Sequence, residues 1–214
     1  MAQTSHLIRS ACLTGFTDVA QAVGLDPFAM MRKAGLPRRC LEDNETLIGM
    51  EAVCRLLADC ARVSEMEDFG LRLASRRHIW DLGPASLVIK QESTALAAIK
   101  TLLSYNRVLN EALLGWVEEE GDIVIIREEL VLGKSVPTRQ MIELTVGVMF
   151  QILRDLLGPG WGPRLICFTH RPPLDPSFHR SFLGQNIEFN SAFNGIVCAA
   201  SDMTRALTPT QPGL

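Results

Sequence analysis

The sequence has no excess of positive charge. Its 21 Lys and Arg stand against 24 Asp and Glu, for a formal charge of −3 and a pI near 5.8. Phosphate backbones are held by clustered basic side chains, so this composition argues against a chain that binds DNA by itself. There is no apolar run approaching the ~20 residues of a membrane span, and residues 1–13 carry His6 and Arg9 without the apolar stretch of a signal peptide. No membrane association and a cytoplasmic location are therefore expected. Six cysteines, at 12, 40, 54, 60, 167 and 198, form no Cys-x-x-Cys pair and no zinc-like spacing, so they read as small buried apolar residues. Catalytic signatures are missing too: there is no Gly-x-Ser-x-Gly elbow and no Gly-x-x-x-x-Gly-Lys loop. Gly158-Pro159-Gly160-Trp161-Gly162 matches a phosphate loop only superficially, because Pro159 and Pro163 remove the backbone donors such a loop needs. No cofactor and no metal are expected.

What is present is an ordinary globular balance, 47% hydrophobic and 21% charged. Leu7, Ile8, Cys12, Phe16, Val19 and Val23 recur at helical spacing up to Gly24, and Asp26-Pro27 opens a second helix that Gly35-Leu36-Pro37 stops. Met50 to Ala61 and Phe69 to Arg77 read as further helices, the latter ending in a solvated basic cluster of Arg72, Arg76, Arg77 and His78. The longest helix is expected from Ser93-Thr94 to about Val117, with the Glu118–Glu120 run as its solvated end. From Asp122 the texture becomes β-branched, giving a strand at Ile123–Ile126. A helix follows from Pro137-Thr138 to Leu157, then a strand at Leu165–Phe168, and Asn186–Phe189 with Gly195–Ala199 reads as a hairpin. The expected fold class is α+β, a helical N-terminal half packed on a small, mostly antiparallel sheet. Residues 1–207 read as one domain, and residues 208–214 have the composition of a linker.

Candidate chemistry is sparse. Asn106 falls inside the apolar stripe of the long helix, where an unpaired amide costs about 1–3 kcal/mol. Tyr105 and Arg107 flank it, Trp116 lies near the expected helix end, and His170 closes a strand. This mixture suits an apolar pocket with a few convergent polar groups, in which Arg107 can act as a carboxylate clamp. His170, Asp175 and His179 are the best metal-ligating candidates. A stand-alone enzyme built around His170 and Asp175 is the rival reading, and a dimerisation module without a ligand is a third.

The order of short signatures narrows this. Gly24-Leu25-Asp26-Pro27, Ala34-Gly35-Leu36-Pro37, Phe69-Gly70-Leu71-Arg72-Leu73-Ala74, the helix holding Tyr105 and Arg107, Gln140-x-x-Glu143, and Trp161-Gly162-Pro163 before Phe168-Thr169-His170 follow one another from Gly24 to Leu207. In this order they resemble the N-terminal effector-binding half of AraC/XylS-type transcription regulators, in the subclass with an arabinose-binding label. The resemblance implies a domain that binds a small organic effector, mainly apolar with a polar or anionic end, and that controls homodimerisation and a C-terminal helix-turn-helix domain. DNA would be reached only through that missing domain. The sequence stops where those units are expected, as in a sensor half of a longer regulator or a stand-alone sensor. Asn106-Arg107-Val108-Leu109 stands where similar sequences often carry Leu-Arg-Leu-His, so the effector is left open.

Overall fold

The computed structural model describes residues 6–109, 111–133 and 135–207, apart from the side chains of Pro84 and residues 106–109. The first half is largely helical. Strand β1 (Leu7–Arg9) and a 3-10 turn (Ser10–Leu13) precede α1 (Phe16–Ala22), α2 (Pro27–Ala34), β2 (Leu47–Gly49), α3 (Met50–Ser64) and α4 (Phe69–Ala74). A further 3-10 turn (Ile79–Leu82) leads to α5 (Pro84–Ile89) and α6 (Ala95–Leu109). Then come β3 (Leu113–Glu120), β4 (Ile123–Leu130), α7 (Arg139–Leu157), β5 (Leu165–Phe168), α8 (Ser177–Leu183), β6 (Ile187–Phe189), β7 (Gly195–Ala199) and α9 (Ala200–Thr204). The fold is α+β, with a two-stranded β1-β2 ribbon and a five-stranded sheet in the order β3-β4-β7-β5-β6, antiparallel except between β5 and β6.

Local signals account for several boundaries. The Asp26 carboxylate accepts from the backbone N–H of Phe28 and Ala29 at 2.9 and 3.1 Å, Pro27 fills the first turn, and Gly35 takes the left-handed conformation that ends α2. The β3–β4 hairpin turns at Gly121, whose φ of +58° suits glycine.

Three expectations need correction. The periodic stretch before Gly24 is not one helix: Leu7–Arg9 pairs with Leu47–Gly49, and α1 begins only at Phe16. The long helix stops at Leu109, and Leu113–Glu120 is an edge strand paired residue for residue with β4. Leu109, Leu113 and Trp116 imitate helical spacing, but Leu113 is buried while Leu114 and Trp116 face outward, the alternation of a half-exposed strand. Finally, β6 and β7 are not a hairpin, because β5 lies between them. After β6 the chain bonds to the end of β5, Asn190 N–H to His170 O and Ser191 N–H to Phe168 O, both at 3.0 Å, and so crosses over before returning.

Helix α7 sits at the centre. Fourteen of its 19 residues are buried, so it is enclosed on every side rather than laid on a surface. Met141 and Leu144 join the core formed by α1, α2 and α3, while Val146, Phe150 and Leu153 join the core formed with α6 and the sheet. Where α4 crosses it the backbones are close. A methyl on Gly147 would lie 2.6 Å from Ala74 Cβ and 2.9 Å from Leu71 Cδ1, and a methyl on Gly70 would run into the Gln140 carbonyl. Gly147→Ala should therefore lower stability by roughly 1–3 kcal/mol despite the better helix propensity of alanine. Gly162→Ala, with open space around it, should be close to neutral. Urea unfolding midpoints test this, and a Gly147→Ala variant as stable as its parent would show that the crossing is not tight.

Candidate functional site

Between the two cores lies a cavity of about 140 Å³, bounded by β1 and its 3-10 turn, α5, α6, β4 and α7. Its wall is mainly apolar, with Leu102 of α6, Leu113, and Leu144, Val148 and Ile152 of α7. Engineered cavities near ~150 Å³ hold one benzene-sized guest. Into this wall the chain sets Arg9, Arg77, Asp81, Glu128 and Thr145, with Tyr105 at its edge and 41% exposed.

Arg77 is not the solvated helix end expected from sequence. It follows the short α4 inward and is only 6% exposed. Its Nη1 donates to the Ala11 carbonyl at 2.8 Å, its own carbonyl accepts from Gln151 at 3.4 Å, and its Nε has no hydrogen-bond partner. Asp81 Oδ2 lies 3.7 Å from that Nε, too far for a hydrogen bond. Burial pulls the Arg77 pKa down, with Cys12 and Asp81 acting in the other direction. The guanidinium still keeps its charge near neutral pH. Burial raises the Cys12 thiol to about 12, so it is neutral beside the guanidinium.

Glu128, on β4, is 4% exposed, and its Oε2 has no partner. Burial lifts its pKa to about 7, opposed only by the Thr145 hydroxyl. No ion pair joins Glu128 to Arg77 or Arg9 among the described residues; Arg9 is paired instead with Glu45. The cavity thus has separate polar places on an apolar wall, each with hydrogen-bonding capacity left over.

The residues picked out from sequence fall in different places. Tyr105 reaches the cavity. The side chains of Asn106 and Arg107 lie outside the described residues. Trp116 stands on β3 beside a groove on another face, its Nε1 donating to Glu118 at 2.9 Å, opposite Arg127, whose guanidinium lies 4.2 Å from the Phe193 ring centre. His170 lies away from the cavity in a buried ionic cluster. Its Nε2 and that of the fully buried His179 are 3.4 and 3.3 Å from one oxygen of Glu143, which Arg139 approaches at 3.2 Å. Burial, the largest influence, holds the His170 pKa below its usual value. Asp175 is not part of that cluster: it accepts from the Ser177 N–H and hydroxyl, both at 2.9 Å, at the exposed start of α8. Among the described residues no group of three His, Cys, Asp or Glu side chains is placed to hold a metal ion.

Sequence reasoning missed Arg9, Arg77, Asp81, Glu128 and Thr145. A signal was available for one of them: Glu128 follows the apolar Val124 and Ile126 at period two, so it had to face inward once β4 was recognised.

The raised pKa of Glu128 has a defined sign. Below about pH 4.5 the group is protonated whether the chain is folded or not, and burial costs nothing extra. As pH rises from about 4.5 to about 7 the unfolded chain gives up this proton while the folded protein keeps it, so stability falls, by up to about 3 kcal/mol once the folded group ionises too. Glu128→Gln should match its parent at acidic pH and gain over it as pH rises, as urea midpoints from pH 4 to 8 would reveal. Parallel curves for the two proteins would mean that the carboxyl is not desolvated.

Comparison with known proteins bears on what the cavity serves. The chain is 26% identical to the HTH-type transcriptional regulator VirS of Mycobacterium tuberculosis, in both strain CDC 1551 and strain H37Rv, over 196 residues. That match takes in 90% of this chain and 57% of the relative, so the chain spans little more than half the relative's length. The crystal structure of the transcriptional regulator CdpR from Pseudomonas aeruginosa shares the fold, with a TM-score of 0.62 at 14% identity, covering 85% of this chain and 56% of that one. No helix among the described residues is long and apolar enough to cross a membrane. The family model described as the arabinose-binding domain of AraC transcription regulator, N-term, matches residues 24–207, and with most of its length so matched the chain belongs to that family.

Proposed function

We propose that this regulatory domain senses a small organic effector, mainly apolar with a polar or anionic end, in the cavity between its two cores. In this reading it acts in the cytoplasm, and the bound state governs homodimerisation and a separate helix-turn-helix domain that contacts DNA. One observation carries the reading: Arg77 and Glu128, both more than nine-tenths buried, line one apolar cavity with polar atoms left unpaired. A buried polar group without a partner costs about 1–3 kcal/mol, so a ligand that pairs both recovers a substantial stabilisation. Tyr105 is a lip residue in this scheme, with Asn106 and Arg107 following it on α6. Trp116 and His170, chosen from sequence, are assigned no part in the cavity.

The route from cavity to output runs through α6. Leu102 and Tyr105 of this helix line the cavity, while Ser93 and Thr94 at its start hold the last described residues. Leu207 N–H donates to the Ser93 carbonyl at 2.9 Å, and Thr94 forms a bridge with Ala206. A ligand that favours one position of α6 therefore acts on the segment that leaves the domain, by as much as its affinities for the two positions differ.

The test is a thermal-shift screen of a small-molecule library against the parent and against Val148→Phe, which fills the cavity from α7. A true effector at 100 times its dissociation constant stabilises by about 2.7 kcal/mol, a shift of roughly 5–10 °C at this chain length. Hits should vanish in Val148→Phe while its own melting temperature stays within a few degrees of the parent. Hits that survive the filling, or a library with none, would remove the cavity from consideration as the effector site.

A further inference from the structure

The arrangement of polar groups within the cavity, granted the effector-site reading above, is specific enough to indicate a ligand class. Two guanidinium groups, of Arg9 and Arg77, line the cavity. Arg77 Nη1 is held by the Ala11 carbonyl, two residues along from Arg9, and both Arg9 Nε and Arg77 Nε are buried without a hydrogen-bond partner. Arg9 and Arg77 each have a carboxylate neighbour, Glu45 and Asp81, but neither carboxylate supplies a partner for Nε. Two such donors on fixed guanidinium planes suit a carboxylate.

The Glu128 end differs in chemistry. Glu128 stands with Thr145, and no arginine contributes to its ionisation. Thr145 of helix α7 marks this end, and Val148, Met149 and Ile152 of the same helix supply an apolar wall beyond it. A second carboxylate at the Glu128 end would add a like charge to that carboxyl as it ionises. A hydroxyl can both donate and accept there, beside a carboxyl that burial keeps half protonated near neutral pH.

We infer that the cavity takes a short ω-hydroxy monocarboxylate, its carboxylate received by the Nε–H donors of Arg9 and Arg77, its carbon chain along α7, and its hydroxyl against Glu128 and Thr145. The volume of about 140 Å³ fits a body of about six carbons.

Calorimetric titration of the parent with 6-hydroxyhexanoate, hexanoate, hexan-1-ol, hexanamide and 6-aminohexanoate tests this directly. 6-Hydroxyhexanoate should bind about tenfold tighter than hexanoate, the value of one well-formed hydrogen bond, and the two uncharged compounds should bind more weakly than either. Glu128→Leu removes an unpaired buried carboxyl and is expected to fold; in it the two acids should bind equally. The inference is overturned if hexan-1-ol or hexanamide matches the acids, if 6-aminohexanoate binds tightest, or if the gap between the acids persists in Glu128→Leu. It is also overturned if none of the five binds while library hits are lost in Val148→Phe, an outcome that leaves the cavity as an effector site for another class. Binding of the acids unchanged by Val148→Phe would instead bring down the effector-site reading itself.

Discussion

Helix α4 can approach α7 only because neither Gly70 nor Gly147 carries a side chain at the crossing, and the rest of the domain hangs on that approach. Leu73 and Ala74 of α4 face the core of the first helices, and Leu71 faces the core of the sheet. Met141 and Leu144 of α7 face one core, and Ile142 and Val146 the other. The crossing thus stitches two apolar clusters that would otherwise be separate small bodies. It is also pinned by hydrogen bonds. The Gln140 side chain accepts from the Gly70 N–H at 2.7 Å and donates to the Glu67 carbonyl at 2.6 Å. Asp68 makes no side-chain cap on α4, so an amide from another helix satisfies a donor that a local residue would normally take.

The polar residues of α7 follow one logic. Gln140, Glu143, Thr145 and Gln151 are all buried, and each meets a different neighbour: the start of α4, the His170–His179 pair, Glu128 of β4 and the Arg77 carbonyl. A helix enclosed all round can carry polar side chains only where another element supplies a partner. Those partners fix its rotation and height as firmly as its apolar packing does. The Glu143 cluster shows the contrast with the cavity. There Arg139 and two imidazoles converge on one carboxylate, with Arg139 also 3.2 Å from Glu67. In the cavity the ionisable groups stand apart: Asp81 is 3.7 Å from Arg77 Nε, and no ion pair reaches Glu128 among the described residues.

Much of this was legible in the sequence, for reasons that can be named. Asp26-Pro27 and Gly35 mark α2 because capping is local chemistry, and the β-branched run at Ile123–Ile126 marks β4 because those side chains suit a pleated, half-buried surface. The α+β class followed from the order of the segments. β1 and β2 were not legible: three residues each are too few for a period, and their pairing joins positions some forty residues apart. β3 was concealed because Leu109, Leu113 and Trp116 fit helical spacing as well as strand alternation, and only pairing with β4 decides between them. Arg77 was misplaced for a related reason. A basic residue at a helix end is normally solvated, and nothing local reveals that this chain turns inward beneath the 3-10 turn at Ser10–Leu13.

The site was less legible than the fold because it is made of contacts between segments far apart in sequence. Arg9, Arg77, Glu128 and Thr145 come from four segments, and each looks unremarkable in its own. What unites them is that α7 separates two cores without filling the space between them. Unpaired polar atoms in that space raise the free energy of the empty domain, and the apolar wall gives no compensation. A ligand matching both would complete the interior and bear on α6, whose start holds the chain near Leu207. In the proposed reading, sensing and output are therefore linked by packing alone, since the element that closes the cavity is also the one against which the departing chain is bonded.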